Sequence, residues 1–489
     1  MTIAVIDIGS SSIRLSEVDA EGEILHTLRS PLTVTSNAFT ETAYDAAEIA
    51  ATVTALLDRT IERSGGAIEA IALANQRATS VVWNQDSLRP IGPALSWQDL
   101  RTAPMCLGLG QRGLHLAPNE SATKFAWIIA NHGQHVPRSS LRCGTLNTWV
   151  LQSLTRGEVF TCDASNAAMT GITDTLVTRY DSDVLAMLEL DEHMLPAIVA
   201  THGNLGSYAS GGRSLPITAS LGDQQASMIG QGILQERAAK VTLGTGAMVD
   251  LYLGDQRPGF PRRGTHGSYP IVGWREDTET SWALEAAILS AGSSVDWFCR
   301  TLTRFCTPEE IEVLALSAHP SSNAIFVPAL SGLATPTWDF GARGSFVNLT
   351  SETRSAEMAR AVLLGIAHAV ADGVEALERE ASLEITELSA DGQMARNDLF
   401  LQILADATGL IVRRSRHLEG TTIGAGLLGL HGGLYHEELP SLSRFHRVDR
   451  SFEPQWVRGS DHHGSARETW NRARTVALGQ IPALSMVSF

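Results

Sequence analysis

The sequence predicts an α/β protein of two lobes, and three observations predict it. The chain has 489 residues, more than one hydrophobic core fills well, which suits two domains of similar size. Short β-branched runs alternate with long amphipathic stretches, the pattern of strands covered by helices. A strand, small-residue turn and strand occur in succession twice, once at the start of each half.

In the first of these units Ile3-Ala4-Val5-Ile6 reads as a strand, Asp7-Ile8-Gly9-Ser10-Ser11-Ser12 as a tight turn, and Ile13 to Val18 as the returning strand. In the second, Ala239–Leu243 is the strand, Gly244-Thr245-Gly246-Ala247 the turn and Met248–Leu253 the return. Hairpins with glycine turns are common, so the recurrence by itself leaves coincidence open. If it is a duplication, two small-residue hairpins face each other across the cleft.

Helical periodicity covers Ala43–Arg63, with Ile49, Val53, Leu56, Leu57 and Ile61 on one face, and recurs over Ser281–Thr301, Ala356–Ala381 and Asp398–Thr408. Strands are expected at Ile68–Ala74, Ile325–Pro328, Ile385–Ala390 and Leu410–Arg414. The lobe boundary is placed near Gln235, giving domains 1–235 and 236–489. Arg447–Glu468 reads as polar and irregular, followed by a last helix and a loose tail.

Composition narrows the function. The hydrophobic share is 44% and the charged share 18%, as in globular proteins. A net charge of −16 argues against nucleic acid and against an anionic membrane surface as partners. It does not oppose a phosphate ligand, which backbone N–H groups of glycine-rich turns can hold. The five cysteines (Cys106, Cys143, Cys162, Cys299 and Cys306) are scattered and form no CxxC pair, so reduced thiols are expected. The start of the chain has no basic region of a signal peptide, and no apolar run approaches the roughly 20 residues that span a bilayer. The expected location is cytoplasmic.

Two GxGxxG matches fail on context. Gly108–Gly113 follows Pro104 and a helix-like run, and Gly424–Gly429 lies inside an apolar helical pattern, where small residues permit close packing. There is no Walker A sequence. The polar constellations are more informative. Asp7, at the end of an apolar strand and before Gly9, Ser10 and Ser11, could hold Mg²⁺ through water while the turn meets phosphate oxygens, with Arg14 close enough to assist. It could equally be a structural aspartate in a capped turn. Asp223, between an extended segment and an apolar helix, reads as a helix N-cap or as the general base that phosphoryl transfer to an alcohol requires. Spacing does not separate these two.

Seven segments occur in an order that is informative as a set: Asn75–Thr79, Trp97–Thr102, Gly222–Gln225, Gly244–Gly246, Phe326–Leu333, Trp338–Gly344 and Asp391–Asn397. Together they resemble the FGGY carbohydrate kinases, and the glycerol kinases among them most, from Thr2 to about Gly433. The resemblance implies two actin-like lobes, each with a ribonuclease-H-like core, around a central nucleotide and substrate cleft. It implies ATP and Mg²⁺ as cofactors, a small polyol or sugar as substrate, and a homodimer or homotetramer. Asp7, Gly9, Ser10, Ser11 and Arg14 then correspond to the first phosphate loop, with Asp7 on the metal, and Gly244, Thr245 and Gly246 to the second. Asp391, Gly392, Gln393 and Asn397 correspond to the adenosine motif. Asp223 corresponds to the catalytic base, and Arg77, Trp97 and Gln224 to retained parts of the polyol pocket.

Three pocket positions depart from the glycerol kinases: Ala78 stands for a glutamate, Asn119 for a tyrosine and Met248 for a phenylalanine. Losing a buried carboxylate leaves its hydroxyl partners unsatisfied, at ~1–3 kcal/mol each, and Ala78 with Asn119 makes a roomier pocket. Gln393 and Asn348 stand for glycines and Leu364 for an acidic residue. A left-handed backbone at Gln393 would be unfavourable. The expected activity is therefore phosphorylation of a polyol or sugar other than glycerol. The alternatives are a strict glycerol kinase with a rebuilt pocket and a non-catalytic nucleotide-binding sensor on the same fold.

Overall fold

The computed structural model describes residues 1–35, 40–260, 262–302 and 307–486. The first half is organised on a six-stranded sheet. β1 (Thr2–Ile8), β2 (Ser12–Asp19) and β3 (Ile24–Pro31) form an antiparallel meander. Helix α1 (Ala46–Arg63) follows, then β4 (Ile68–Asn75) and, after a long insertion, the hairpin β5 (Ser207–Ser210) and β6 (Arg213–Gly222). β4 lies parallel to β1 and β6 parallel to β4, giving the order β5-β6-β4-β1-β2-β3. Helix α2 (Asp223–Gly230) leaves β6 directly.

The second half carries a seven-stranded sheet. Its elements are β7 (Ala239–Leu243), β8 (Ala247–Gly254), β9 (Tyr269–Glu276), β10 (Glu279–Ile288), α3 (Ser355–Ala381), β11 (Glu387–Asp391), α4 (Asp398–Thr408), β12 (Ile411–Ser415), α5 (Gly420–Leu427) and β13 (Val448–Phe452). The order is β9-β10-β8-β7-β11-β12-β13. The run β3-β2-β1-β4-β6 of one sheet and β10-β8-β7-β11-β12 of the other share order and strand direction, three antiparallel strands followed by two parallel ones. The repeated hairpins are thus the leading edges of a duplicated ribonuclease-H-like core.

Packing explains why the pattern was readable. On α1 the buried side chains include Ile49, Val53, Leu56, Leu57 and Ile61, set against the first sheet. Each is worth roughly 1.5–3 kcal/mol of apolar burial. Between the two sheets, α2 and α5 cross with Met228, Ile229, Ile423 and Leu427 packed against Ile3, Val5 and Ala72. The crossing needs Gly230 and Gly424, since a Cβ on Gly424 would collide with the Ala226 carbonyl and one on Gly230 with the Gly420 carbonyl. Of the small residues in Gly424–Gly429, Gly424 serves this approach, while Gly426 lies against Val18 and Val5 and Gly429 against Ile3 and Ala72 of the first sheet.

Three expectations are corrected. The stretch Ser281–Thr301 is not one interrupted helix: Glu279–Ile288 is a strand and Gly292–Leu302 a helix. Ala43-Tyr44 is a short strand ahead of α1, whose N-cap is Asp45. Arg447–Glu468 is not irregular throughout, because it contains β13 and the start of a helix over Asp461–Ala477. Cys106, Cys143 and Cys162 are buried free thiols and Cys299 is buried; Cys306 lies outside the described residues. No described helix is long and apolar enough to cross a membrane.

Candidate active site

Both small-residue turns open onto one cavity of about 680 Å³ between the sheets. Parallel strands β1, β4 and β6 end on its rim, as do β7 and β11, so side chains at their carboxyl ends converge there. The cavity is lined by Asp7, Gly9, Ser10, Ser11 and Arg14 of the first hairpin and by Gly244, Thr245, Gly246 and Met248 of the second. Arg77, Ala78, Trp97, Asn119, Asp223 and Gln224 line one end; Asp391, Gly392, Gln393 and Asn397 line the other. Every residue singled out from the sequence for the site therefore lies on the same surface.

At the end with the two turns the lining is mostly backbone and small side chains. Gly392 has φ +89°, and a Cβ there would press on the backbone of Leu243, so only glycine is comfortable. Gln393 does not take the left-handed backbone that would disfavour it. It opens a short 3₁₀ turn over Gln393–Arg396. Asn397 caps α4, its Oδ1 accepting from the Phe400 N–H at 2.7 Å. Asp7 accepts from Thr422 Oγ1 at 3.0 Å and pairs with Arg14 at 2.8 Å. Arg14 is also in contact with Glu419, and Asp7 above all holds its guanidinium pKa up. Here Arg14 is engaged by two carboxylates. Asp391 accepts from Ser227 at 3.0 Å, and its Oδ1 is buried without a hydrogen-bond partner. Burial pushes its carboxyl up to about 6.

The opposite end is built from ionised side chains. Asp223 is the first residue of α2 rather than its cap, which is Gly222. Its Oδ1 accepts from the Gln224 N–H at 2.9 Å and stands 3.6 Å from Arg77 Nε. Burial raises the Asp223 pKa; Arg77 pulls it down and Glu285 pushes it up. Arg77 donates through Nη2 to both oxygens of the fully buried Glu285 at 2.7 Å, and Tyr269 hydroxyl also bonds Glu285. Lys240, fully buried, donates to Gln224 Oε1 at 2.6 Å and pairs with buried Asp250 at 2.7 Å. Asn119 donates to the Trp97 carbonyl at 2.9 Å, while its Oδ1 and Arg77 Nη1 are buried without partners. Ala78 adopts φ +57°.

Comparison with known proteins decides what this arrangement belongs to. Residues 2–230 match the N-terminal domain of the FGGY family of carbohydrate kinases, and residues 239–432 the C-terminal domain. The chain belongs to the FGGY family. The glycerol kinase of Aromatoleum aromaticum is 33% identical over 98% of this chain and 99% of its own length. That of Natranaerobius thermophilus is 32% identical over 97% and 98%. The crystal structure of Plasmodium falciparum glycerol kinase with ADP superposes with a TM-score of 0.87 at 26% identity, covering 98% of both chains. A xylulose kinase from Brucella ovis shares the fold, with a TM-score of 0.82 over the whole of both chains at 23% identity. This FGGY kinase is accordingly a phosphotransferase with an alcohol group as acceptor.

In the FGGY kinase the residues missed from the sequence are those that hold Arg77 and Gln224 in place: Glu285, Tyr269, Lys240 and Asp250. Glu285 was hidden in a stretch with helical periodicity, and its partner Arg77 is 208 positions away. The only local signal was charge inside apolar strands, Lys240 in β7 and Asp250 in β8, since ions are seldom fully buried unless paired. The cavity suits a nucleotide phosphate chain and a divalent cation. The glycines and small hydroxyl residues of its turns line it, Asp391 Oδ1 has no partner, and no group of three or more metal-ligating side chains exists among the described residues. Mg²⁺ bound with a nucleotide needs only one or two carboxylates, the phosphates and water supplying the rest.

Proposed function

We propose that this FGGY kinase transfers the γ-phosphoryl group of ATP to a hydroxyl of a small polyol or sugar other than glycerol, with Asp223 as general base. The observation that carries the reading is the position of Asp223. It stands where the ionised end of the cavity meets the two small-residue turns, with its pKa raised by burial, as suits a base acting near neutral pH. Asp223 takes the proton of the attacking hydroxyl as that oxygen bonds to the γ-phosphorus and the bridging oxygen leaves with ADP. Gly9, Ser10, Ser11, Gly244, Thr245 and Gly246 hold the phosphates, Gly392, Gln393 and Asn397 the adenosine side. Asp7, with Asp391, would hold Mg²⁺ through water, and the ion would neutralise charge on the phosphates. Arg77, Trp97 and Gln224 orient the acceptor, and Ala78, Asn119 and Met248 shape it. Lobes 1–235 and 236–489 close on the substrates and exclude water as a competing acceptor. This division is supported by the gap between α2 and β7.

Ala78 argues against glycerol, because among the described residues Asp223 is the one carboxylate beside Arg77 that lines the cavity, which leaves none there to receive a second hydroxyl. The names of the relatives favour the other reading, a glycerol kinase with a rebuilt pocket. An ADP-release assay with Mg·ATP across polyols and sugars tests both. Turnover faster with a four- to six-carbon acceptor than with glycerol is expected, and abolished in Asp223→Asn. A higher kcat/KM for glycerol than for any other acceptor would establish the second reading, and background hydrolysis throughout would sink both.

A further inference from the structure

Beyond the acceptor end the cavity borders a second chamber of about 260 Å³, and Asn119, Met169, Tyr269 and Trp338 form walls of both. A continuous line of contacts leads into it. Asp223 stands by Arg77, Arg77 by Glu285, and Glu285 by Tyr269. The Tyr269 ring lies 6.2 Å from that of Trp338. Arg263 stacks on Trp338, with Cζ 3.6 Å from the ring centroid. Trp338 is itself pinned, its indole N–H donating to the Gly267 carbonyl at 2.6 Å.

Arg257 and Arg262 line the chamber as well. Arg262 shares Glu120 at 3.3 Å and donates to the Gly171 carbonyl at 2.9 Å. Arg257 donates to the carbonyls of Thr175, Pro258 and Phe260 and makes no ion pair among the described residues. The chamber also has carboxylates, but they are turned to other work. Asp181 caps a helix through the N–H groups of Asp183 and Val184. Asp174 accepts from the Thr178 N–H and hydroxyl, and Glu120 from the Ala117 N–H at 2.9 Å. Burial lowers the Arg263 guanidinium to about 10, Glu120 and Tyr269 only partly opposing it. A planar guanidinium stacked on an aromatic ring still presents its edge as a fork that matches an oxyanion.

The geometry points to an open-chain acceptor longer than three carbons that ends in an oxyanion, a sugar acid whose carboxylate lies against Arg263 and Arg257 while a hydroxyl at its other end meets Asp223. This rests on the kinase reading above and names its substrate class. A triol with its hydroxyl at Asp223 would leave the chamber unused, and a neutral polyol would reach it without meeting the charge there.

The test is ADP release by the full chain with Mg·ATP and three matched sets of four to six carbons: aldonates, the corresponding alditols, and alditol phosphates, with glycerol alongside. An aldonate is expected to exceed its alditol at least about tenfold in kcat/KM, mostly through KM. Its KM should rise with ionic strength while that of the alditol stays flat. Arg257→Gln with Arg263→Gln should erase the preference, and Arg263→Lys should retain part of it. A preference for the phosphate would keep the oxyanion site and replace the carboxylate. An alditol equal to or better than both anions, or a preference that survives the double variant, overturns the inference and leaves the kinase reading intact. Wild-type comparison and salt dependence decide the matter even if the variants fail to fold. No turnover with any acceptor sinks both readings.

Discussion

At one end of the cleft the two turns are backbone and small residues, Gly9 to Ser11 and Gly244 to Gly246; at the other the lining residues Arg77 and Gln224 are held by buried ions behind them, Arg77 by Glu285 and Gln224 by Lys240 with its partner Asp250. The first surface is made by chain geometry and tolerates a side chain where the backbone is ordinary, as at Gln393, but not at Gly392. The second depends on each partner being present, because removing one leaves the other charged and buried. On the proposed reading, nucleotide handling and acceptor recognition are thus exposed to mutation in different ways, and this contrast can be broken experimentally.

The largest effect belongs to Asp223→Asn. With Asp223 in the proposed role of general base, its loss should lower kcat by about 10²–10⁴-fold, with the thermal shift produced by ADP retained; unchanged turnover would remove Asp223 from the mechanism. Next is Glu285→Gln, which strands the Arg77 guanidinium. Breaking such a pair costs about 3–5 kcal/mol, so chemical denaturation should show a marked loss of stability together with a weakened acceptor KM. A midpoint equal to wild type would mean that Arg77 finds another partner. Gly392→Ala acts at the opposite end, where φ is +89° and the added Cβ meets Leu243. About 1–3 kcal/mol of strain is expected, seen as a higher KM for ATP with the acceptor KM unmoved.

A pH profile sharpens the comparison further. The Asp223 pKa is raised above the usual 3.8, and the base works only when ionised, so kcat/KM should fall as pH drops through that raised value. Arg77 pulls the value down, so in Arg77→Gln the acid limb should move to higher pH. Movement to lower pH, or none, would contradict the arrangement. The smallest effect is expected of Gln393→Gly. Extra backbone freedom costs at most roughly 0.5–1 kcal/mol, and the KM for ATP should stay within about twofold of wild type.

Legibility in the sequence followed the same division. The hairpins were readable because a strand, a small-residue turn and a returning strand are local patterns, and the cavity then gathers Asp7, Gly244 and Gly392 from three separate strand ends. The ordered motifs located Asp223, although its immediate neighbours could not distinguish a cap from the first residue of α2. Glu285 was out of reach. Its strand, Glu279–Ile288, contains Ala283, Leu284, Glu285, Ala286 and Ala287, all good helix formers, and is buried on both faces at this end. The alternation that marks a half-exposed strand is therefore missing, and tertiary packing overrides propensity. Trp338 was noticed only as part of a motif; its place between the cavity and the second chamber depends on the fold.

In the proposed closure of the lobes, the crossing of α2 and α5 would serve as a pivot. Gly230 and Gly424 interlock against the opposing backbones, so the helices can change angle about the contact more readily than they can slide past it. Asp223 begins one of these helices, its carbonyl accepting from Thr421 Oγ1 at 3.1 Å near the start of the other. A lever moves least beside its fulcrum. Opening or shutting the lobes would sweep the outer lips of the cleft through wide arcs and leave the carboxylate almost stationary. With Asp223 in its proposed role, the chain would then admit and release bulky ligands without having to reassemble its proton acceptor at each turnover.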